Sequence, residues 1–116
     1  TFTDPGSQKP FMALAVNGVF DYHFVGAAAA ANGLPRSRID ESGALVDNIT
    51  DWSLKQFKDQ YTPGKGRAAR PITKDAIFHY VYAVLHDPVY REKYAQNLKR
   101  EFPRIPFYAD FWTWAD

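Results

Sequence analysis

The stretch 72–107, ITKDAIFHYVYAVLHDPVYREKYAQNLKREFPRIPF, decides the fold. It predicts two helices joined at an Asp-Pro corner and stopped by a Pro-rich exit. Thr73 is placed to cap the first helix, because its hydroxyl can accept from a free backbone N–H in the first turn. Ile72 and Ile77 stand at the spacing of a hydrophobic staple across that cap. Ile77, Val81, Val84 and Leu85 recur at helical spacing, and Phe78 and Tyr82 widen the stripe, so much of the helix circumference is expected to be buried. Asp87-Pro88 ends this helix and starts the next. Asp caps well, and Pro is tolerated at the first helical position, where its missing N–H would be unpaired anyway. Tyr90, Tyr94, Leu98 and Phe102 then fall four apart, while Arg91, Lys93, Lys99, Arg100 and Glu101 lie largely off that line. Pro103 and Pro106 forbid continuation. The reading is an aromatic-rich antiparallel helical hairpin, 73–87 and 88–102, with one charged outer face.

Upstream, a further helix is expected over 50–61. Ile49 and Leu54 flank a Thr50 cap, Asp51 favours the positive end of the helix dipole, and Leu54, Phe57 and Tyr61 form the apolar stripe with Trp52 nearby. Residues 62–71, TPGKGRAARP, break it. Residues 11–26, FMALAVNGVFDYHFVG, predict a β-hairpin, because Asn17-Gly18 suits a type I′ turn in which both central residues need positive φ. Residues 1–10 read as a loose lead-in, 27–33 fit one helical turn or a loop, and 34–48 read as a surface excursion rich in Pro, Gly and Ser. Phe111, Trp112 and Trp114 begin another helix near the end. The fold class is α+β: a short N-terminal β-hairpin packed on a mainly helical part, 48–116, in a single domain over 1–116. Phe57, Phe78, Val81, Tyr82, Leu85, Tyr94 and Leu98 are expected to share one core.

Composition bounds the class. The chain has 116 residues, 46% apolar and 16% aromatic, enough for one modest core and contrary to disorder. No apolar run reaches the length of a membrane span, and no secretory signal is visible. The absence of Cys removes disulfides and thiolate metal sites and fits a cytoplasmic protein. The first residue, Thr1, and the final Trp114-Ala115-Asp116 read as the borders of a piece of a longer polypeptide.

Charge is distributed unevenly. Residues 65–104 hold nine Lys or Arg against four Asp or Glu, a net of +5; the rest holds five against nine, a net of −4, which together give the chain's +1. Such asymmetry can orient a nucleic-acid duplex, and a basic helix face is also the ordinary form of a solvated surface.

Several motifs resolve to ordinary roles. Pro63-Gly64-Lys65-Gly66 is not a P-loop, since it lacks the Gly-x4-Gly-Lys-[Ser/Thr] spacing and follows a helix where a strand is required. His79 and His86 stand two helical turns apart with only His23 left to recruit, short of a convergent ligand set; core or capping roles suit them better, with His79 partly buried among Phe78, Tyr80 and Tyr82. No metal site, nucleophile triad or paired-carboxylate arrangement stands out.

The runs Ile72-Thr73-Lys74-Asp75, Phe78-His79-Tyr80-Val81-Tyr82, Leu85-His86 with Pro88, Tyr90-Arg91-Glu92-Lys93-Tyr94, Leu98-Lys99 and Pro103-Arg104-Ile105-Pro106 resemble the C-terminal target-recognition region of Type ISP single-chain, helicase-containing restriction-modification enzymes. Asn48-Ile49-Thr50-Asp51-Trp52 with Phe57 and Tyr61, Leu14 through Gly26 with the Leu34-Pro35 pair, and Asp110-Phe111-Trp112 extend the likeness. Gly64-Lys65-Gly66-Arg67-Ala68-Ala69-Arg70 and Arg36-Ser37-Arg38 depart from it. The resemblance implies a non-catalytic module that recognises double-stranded DNA. Its chemistry would come from other parts of the polypeptide: an adenine methyltransferase domain using S-adenosylmethionine, and an ATP- and Mg-dependent helicase-nuclease. No methyltransferase tetrapeptide, Walker motif or nuclease signature occurs here. Lys65, Arg67 and Arg70, on the stretch between helices, and Arg91, Lys99 and Arg100, on the second arm of the hairpin, are the candidate DNA contacts. The alternative is a structural scaffold or protein–protein interaction module with little DNA contact. A DNA-facing hairpin should leave Arg91, Lys99 and Arg100 exposed and unpaired, whereas a scaffold should pair or bury them.

Overall fold

A computed structural model of the chain describes residues 2–3, 10–19, 21, 31–61 and 70–116. The described elements are strands β1 (Phe2–Thr3), β2 (Ala31–Asn32), β3 (Ser37–Ile39) and β4 (Leu45–Asp47), and helices α1 (Asp51–Gln60), α2 (Lys74–His86), α3 (Pro88–Lys93), α4 (Ala95–Leu98) and α5 (Phe111–Ala115). The mixed α+β class follows. The chain divides into two compact units, Thr1–Leu34 with Val81–Pro106, and Pro35–Tyr80 with Phe107–Asp116, and α2 runs through the division.

In the first unit, β1 and β2 pair antiparallel, with Phe2 opposite Asn32 and Thr3 opposite Ala31. The lead-in expected to be loose is therefore tied down at Thr3, which is buried. Its hydroxyl donates to Pro10 O at 3.2 Å and accepts from Met12 N at 3.0 Å, and its N–H donates to Met12 O at 3.1 Å. Of the hairpin expected over 11–26, residues 11–19 and 21 are described. Its first arm has a single bridge residue, Ala13, and Leu14, Val16 and Val19 are exposed. With Met12 already bonded to Thr3, this arm's backbone is engaged with β1's chain at that point. Gly18 takes φ 111°, and residues 20 and 22–26 of the return arm lie outside the described residues.

The Asp-Pro corner forms as the sequence predicts. Asp87 caps α3 by accepting from Val89 N at 3.1 Å and Tyr90 N at 3.2 Å, with Pro88 in the first turn. The second arm, expected as one helix over 88–102, is two short helices broken at Tyr94, whose φ of −107° and ψ of 17° leave the helical region. Residues four apart on a straight helix drift by about 40° per step. The break lets Tyr90 and Leu98 both be buried, with Tyr94 half-buried between them. The helix also ends early, at Leu98, and beyond it Tyr90 Oη donates to Arg104 O at 2.9 Å.

In the second unit, β3 and β4 form a hairpin in register Ser37–Asp47, Arg38–Val46 and Ile39–Leu45, within the stretch that reads as a surface excursion. The turn explains it. Asp40 Oδ1 accepts from Ser42 N, Ser42 Oγ and Ala44 N at 2.9, 2.7 and 3.0 Å, and Gly43 takes φ 84°. The Ser42 hydroxyl, followed by the turn's amides, holds the Asp40 carboxyl below its ordinary pKa. Ile39 and Leu45 remain exposed, so no buried alternation marks these strands in the sequence.

Thr50 caps α1 by accepting from Ser53 N at 3.1 Å, and Thr73 accepts from Ala76 N at 3.1 Å at the start of α2. Asp110 caps α5 through Trp112 N and Thr113 N. The unit's core is aromatic. Tyr80 stacks on Phe111 at 5.1 Å, and Phe57 meets Tyr80, Phe107 and Phe111 edge-on at 5.5, 5.0 and 5.9 Å. The expected core is corrected here. Phe78 is exposed and Val81 and Tyr82 are half-buried, whereas Ile77, Tyr80 and Val84 are buried. A helix apolar almost all round gives little direction to its moment, so its inward face was assigned about one residue off. Phe57 belongs to the second unit, and Leu85, Tyr94 and Leu98 to the first.

Candidate nucleic-acid interface

Of the six candidate residues, Lys65 and Arg67 lie outside the described residues. Arg70 is held against α5. Its guanidinium lies 3.8 Å from the Trp112 ring centre, and Nη1 donates to Asp116 Oδ1 at 2.6 Å. Arg91 is half-buried, Nε donates to Leu85 O at 2.7 Å, and the guanidinium stands 5.7 Å from the Phe11 ring. It closes the Asp87 corner from within rather than projecting from it.

Lys99 and Arg100 differ. They occupy the turn after α4, where Arg100 N and Glu101 N both donate to Asn97 O at 3.0 Å. Both side chains are exposed, and neither has an ion pair or side-chain hydrogen bond among the described residues. The break at Tyr94 removes the continuous helix on which residues 91 and 99 would share a face. Elsewhere in the second arm and its exit, Lys93 Nζ stands 5.4 Å from the Tyr94 ring, and the largely exposed Arg104 pairs with Glu101 at 3.2 Å. Arg38 on β3 is also exposed without such a partner among the described residues. In the sequence it stands only as part of a departure from the family pattern, and no spacing distinguishes it from Arg36.

Arg36 is internally committed. It bridges Asp47 and Asp75, the latter at 2.8 Å, and Lys74 pairs with Asp51 at 2.7 Å and Asp47 at 3.6 Å. Hydrogen bonds to Asp75 and Asp47 raise the Arg36 pKa, and the bond to Asp51 leads the rise at Lys74. The Arg36 guanidinium likewise holds the Asp47 carboxyl below its ordinary range. Lys74 therefore counts toward the basic segment in the sequence but not toward its accessible charge.

Tyrosine hydroxyls organise the second unit. Tyr61 Oη donates to Tyr108 O at 2.6 Å, and Tyr80 Oη accepts from Tyr108 N at 2.8 Å. The two hydroxyls stand 3.3 Å apart, leaving Tyr80 to donate to Tyr61. Burial, reinforced by Tyr80, pushes the Tyr61 phenol well above its ordinary pKa. Such a network is structural: its groups satisfy one another.

In the first unit, α3, α4 and residues 101–106 surround a cavity of about 330 Å³, lined among others by Tyr90, Tyr94, Asn97, Leu98 and Phe102. Among the described residues no group of three or more His, Asp or Glu is arranged to hold a metal ion. His79 is exposed rather than partly buried, and His86 Nδ1 lies 2.8 Å from Tyr82 O. No described helix is long and apolar enough to cross a membrane.

No curated protein matches the chain. A solved structure described as "cryoEM structure DrdV-DNA complex" contains a chain similar to this one at 42% identity and a TM-score of 0.80. The match covers 98% of this chain and 10% of that one, so the present chain spans about a tenth of its structural relative. The model of the Type ISP C-terminal specificity domain matches residues 1–116, and the chain belongs to that family.

Proposed function

We propose that this domain recognises and positions double-stranded DNA for a restriction-modification polypeptide and carries out no chemistry itself. The observation that carries this reading is the likeness, over almost the whole chain, to part of a protein described in complex with DNA. In this reading other parts of the polypeptide supply the adenine methyltransferase and the helicase-nuclease, with S-adenosylmethionine, ATP and Mg, and the methyltransferase domain is the intramolecular partner. Lys99 and Arg100 are the cations best placed for phosphate contact, since both are exposed without partners among the described residues. Phosphate contacts supply affinity and base edges supply specificity.

The scaffold reading is favoured at two positions. Arg91 and Arg70 are engaged within their own units, so their removal should act through stability. The test is DNA binding by fluorescence anisotropy between ~50 and 200 mM salt. Lys99→Gln and Arg100→Gln should each weaken binding across sequences and flatten the log-affinity slope by about 0.9 per lost phosphate contact. An unchanged slope in the double variant would make this turn scaffold and move phosphate recognition elsewhere.

A further inference from the structure

The cavity in the first unit combines features that a solvated turn does not need. Its volume, about 330 Å³, falls at the lower end of the ~300–1,000 Å³ range of small-molecule sites. Tyr90, Tyr94 and Phe102 are among the residues that line it. Tyr90 is held by its bond to Arg104 O, and its ring is tilted 48° from that of Tyr94 at 5.0 Å, so the two do not lie parallel on one another. Asn97 also lines the cavity, and its side-chain amide has no hydrogen-bond partner among the described residues. Lys99 and Arg100 fill the turn between two further lining residues, Leu98 and Glu101.

We propose that this cavity takes one unstacked adenine of a DNA strand, with Lys99 and Arg100 on the phosphates beside it. The inference rests on the DNA-recognition reading and names a site within it. Aromatic walls suit a base because every base presents a π-face. An asparagine amide offers a donor and an acceptor side by side, the complement of adenine's N6 and N7. Unpartnered cations at the adjoining turn select a polyanion over a neutral aromatic ligand. The Glu101 carboxylate, which also lines the cavity, is answered by Arg104 at 3.2 Å.

The test uses the full chain and four labelled probes: a paired duplex, the same duplex with one bulged adenine, one with a bulged guanine, and one with a bulged abasic residue. The bulged adenine should bind about tenfold more tightly than the paired duplex, a gain of the size that stacking one base provides. The abasic and guanine bulges should lose most of that gain. Phe102→Ala and Asn97→Ala, at exposed side chains, should remove the preference while leaving paired-duplex affinity within about twofold. Equal binding of paired and bulged-adenine probes would overturn the proposal and leave the DNA-recognition reading standing. So would an abasic bulge that binds as tightly as adenine, since the gain would then come from bending alone. Equal binding of guanine and adenine bulges would overturn the assigned edge. Failure to bind any probe would overturn the site and the recognition reading together.

Discussion

Replacing Tyr80 by Phe isolates the energetic weight of the tyrosine network. Tyr80 is 0% exposed, and its ring contacts with Phe111 and Phe57 survive the change, so no aromatic volume is lost. The hydroxyl is what disappears. Tyr108 N–H loses its acceptor at 2.8 Å, and Tyr61 loses a neighbour at 3.3 Å. A typical hydrogen bond contributes ~0.5–1.5 kcal/mol, and stranding a buried donor costs ~1–3 kcal/mol. Tyr108 is half-buried, so water does not restore the full bond. The expected destabilisation is about 1–3 kcal/mol, with Tm falling by roughly 3–6 °C per kcal/mol for a chain of this size. Urea unfolding followed by tryptophan fluorescence reads it locally, because Trp114 stacks on Tyr108 at 4.7 Å. The midpoint should move with an unchanged m-value. Tyr61→Phe, at a half-buried position, should cost less, about 0.5–1.5 kcal/mol. The double variant should depart from additivity by about 0.5 kcal/mol or more, as groups in one network do. A Tyr80→Phe protein within about 0.5 kcal/mol of the parent, or strictly additive with Tyr61→Phe, would refute the reasoning.

Two other outcomes are expected. Leu98→Ala, which empties a buried site in the first unit, and Leu85→Ala should each cost roughly 2–5 kcal/mol in chemical denaturation; parent-like stability would contradict the burial assigned to them. Asp40 and Asp47 have folded pKa values depressed below their ordinary 3.8. Their contribution should be complete above the unfolded value and fade as pH falls through the depressed ones. Asp40→Asn should therefore remove part of the acid dependence of the β3–β4 hairpin, measured by amide NMR between about pH 2 and 6, and an identical acid profile would count against the turn's role.

Local signals were legible where a single side chain satisfies a backbone group. Thr50, Thr73 and Asp87 each cap the helix expected of them, because capping depends on residue type and a short spacing. The exit helix was expected from Phe111, Trp112 and Trp114, and its Asp110 cap is seen only in the structure. Features decided by tertiary bonds were not. The β3–β4 strands bury no side chain and rest on Asp40's bonds within its turn. The break at Tyr94 and the early end at Leu98 accompany the tie from Tyr90 to Arg104, which no periodicity reveals. The same limit applies to the basic residues. Composition locates Arg70, Arg91, Lys99 and Arg100 alike, but only the fold separates the two that are bonded within their units from the two that are not.

The ion network around Arg36 and Lys74 shapes what an approaching polyanion encounters. These two cations are occupied by Asp47, Asp51 and Asp75 on one surface, so their fields largely cancel a short distance away. With a formal charge of only +1 on the whole chain and a Debye length of ~8 Å at physiological salt, long-range attraction is weak. The Lys99–Arg100 turn would therefore act at close range, fixing the orientation of a strand already delivered rather than drawing it from solution. A domain with that field is suited to setting the angle at which a bound strand is held.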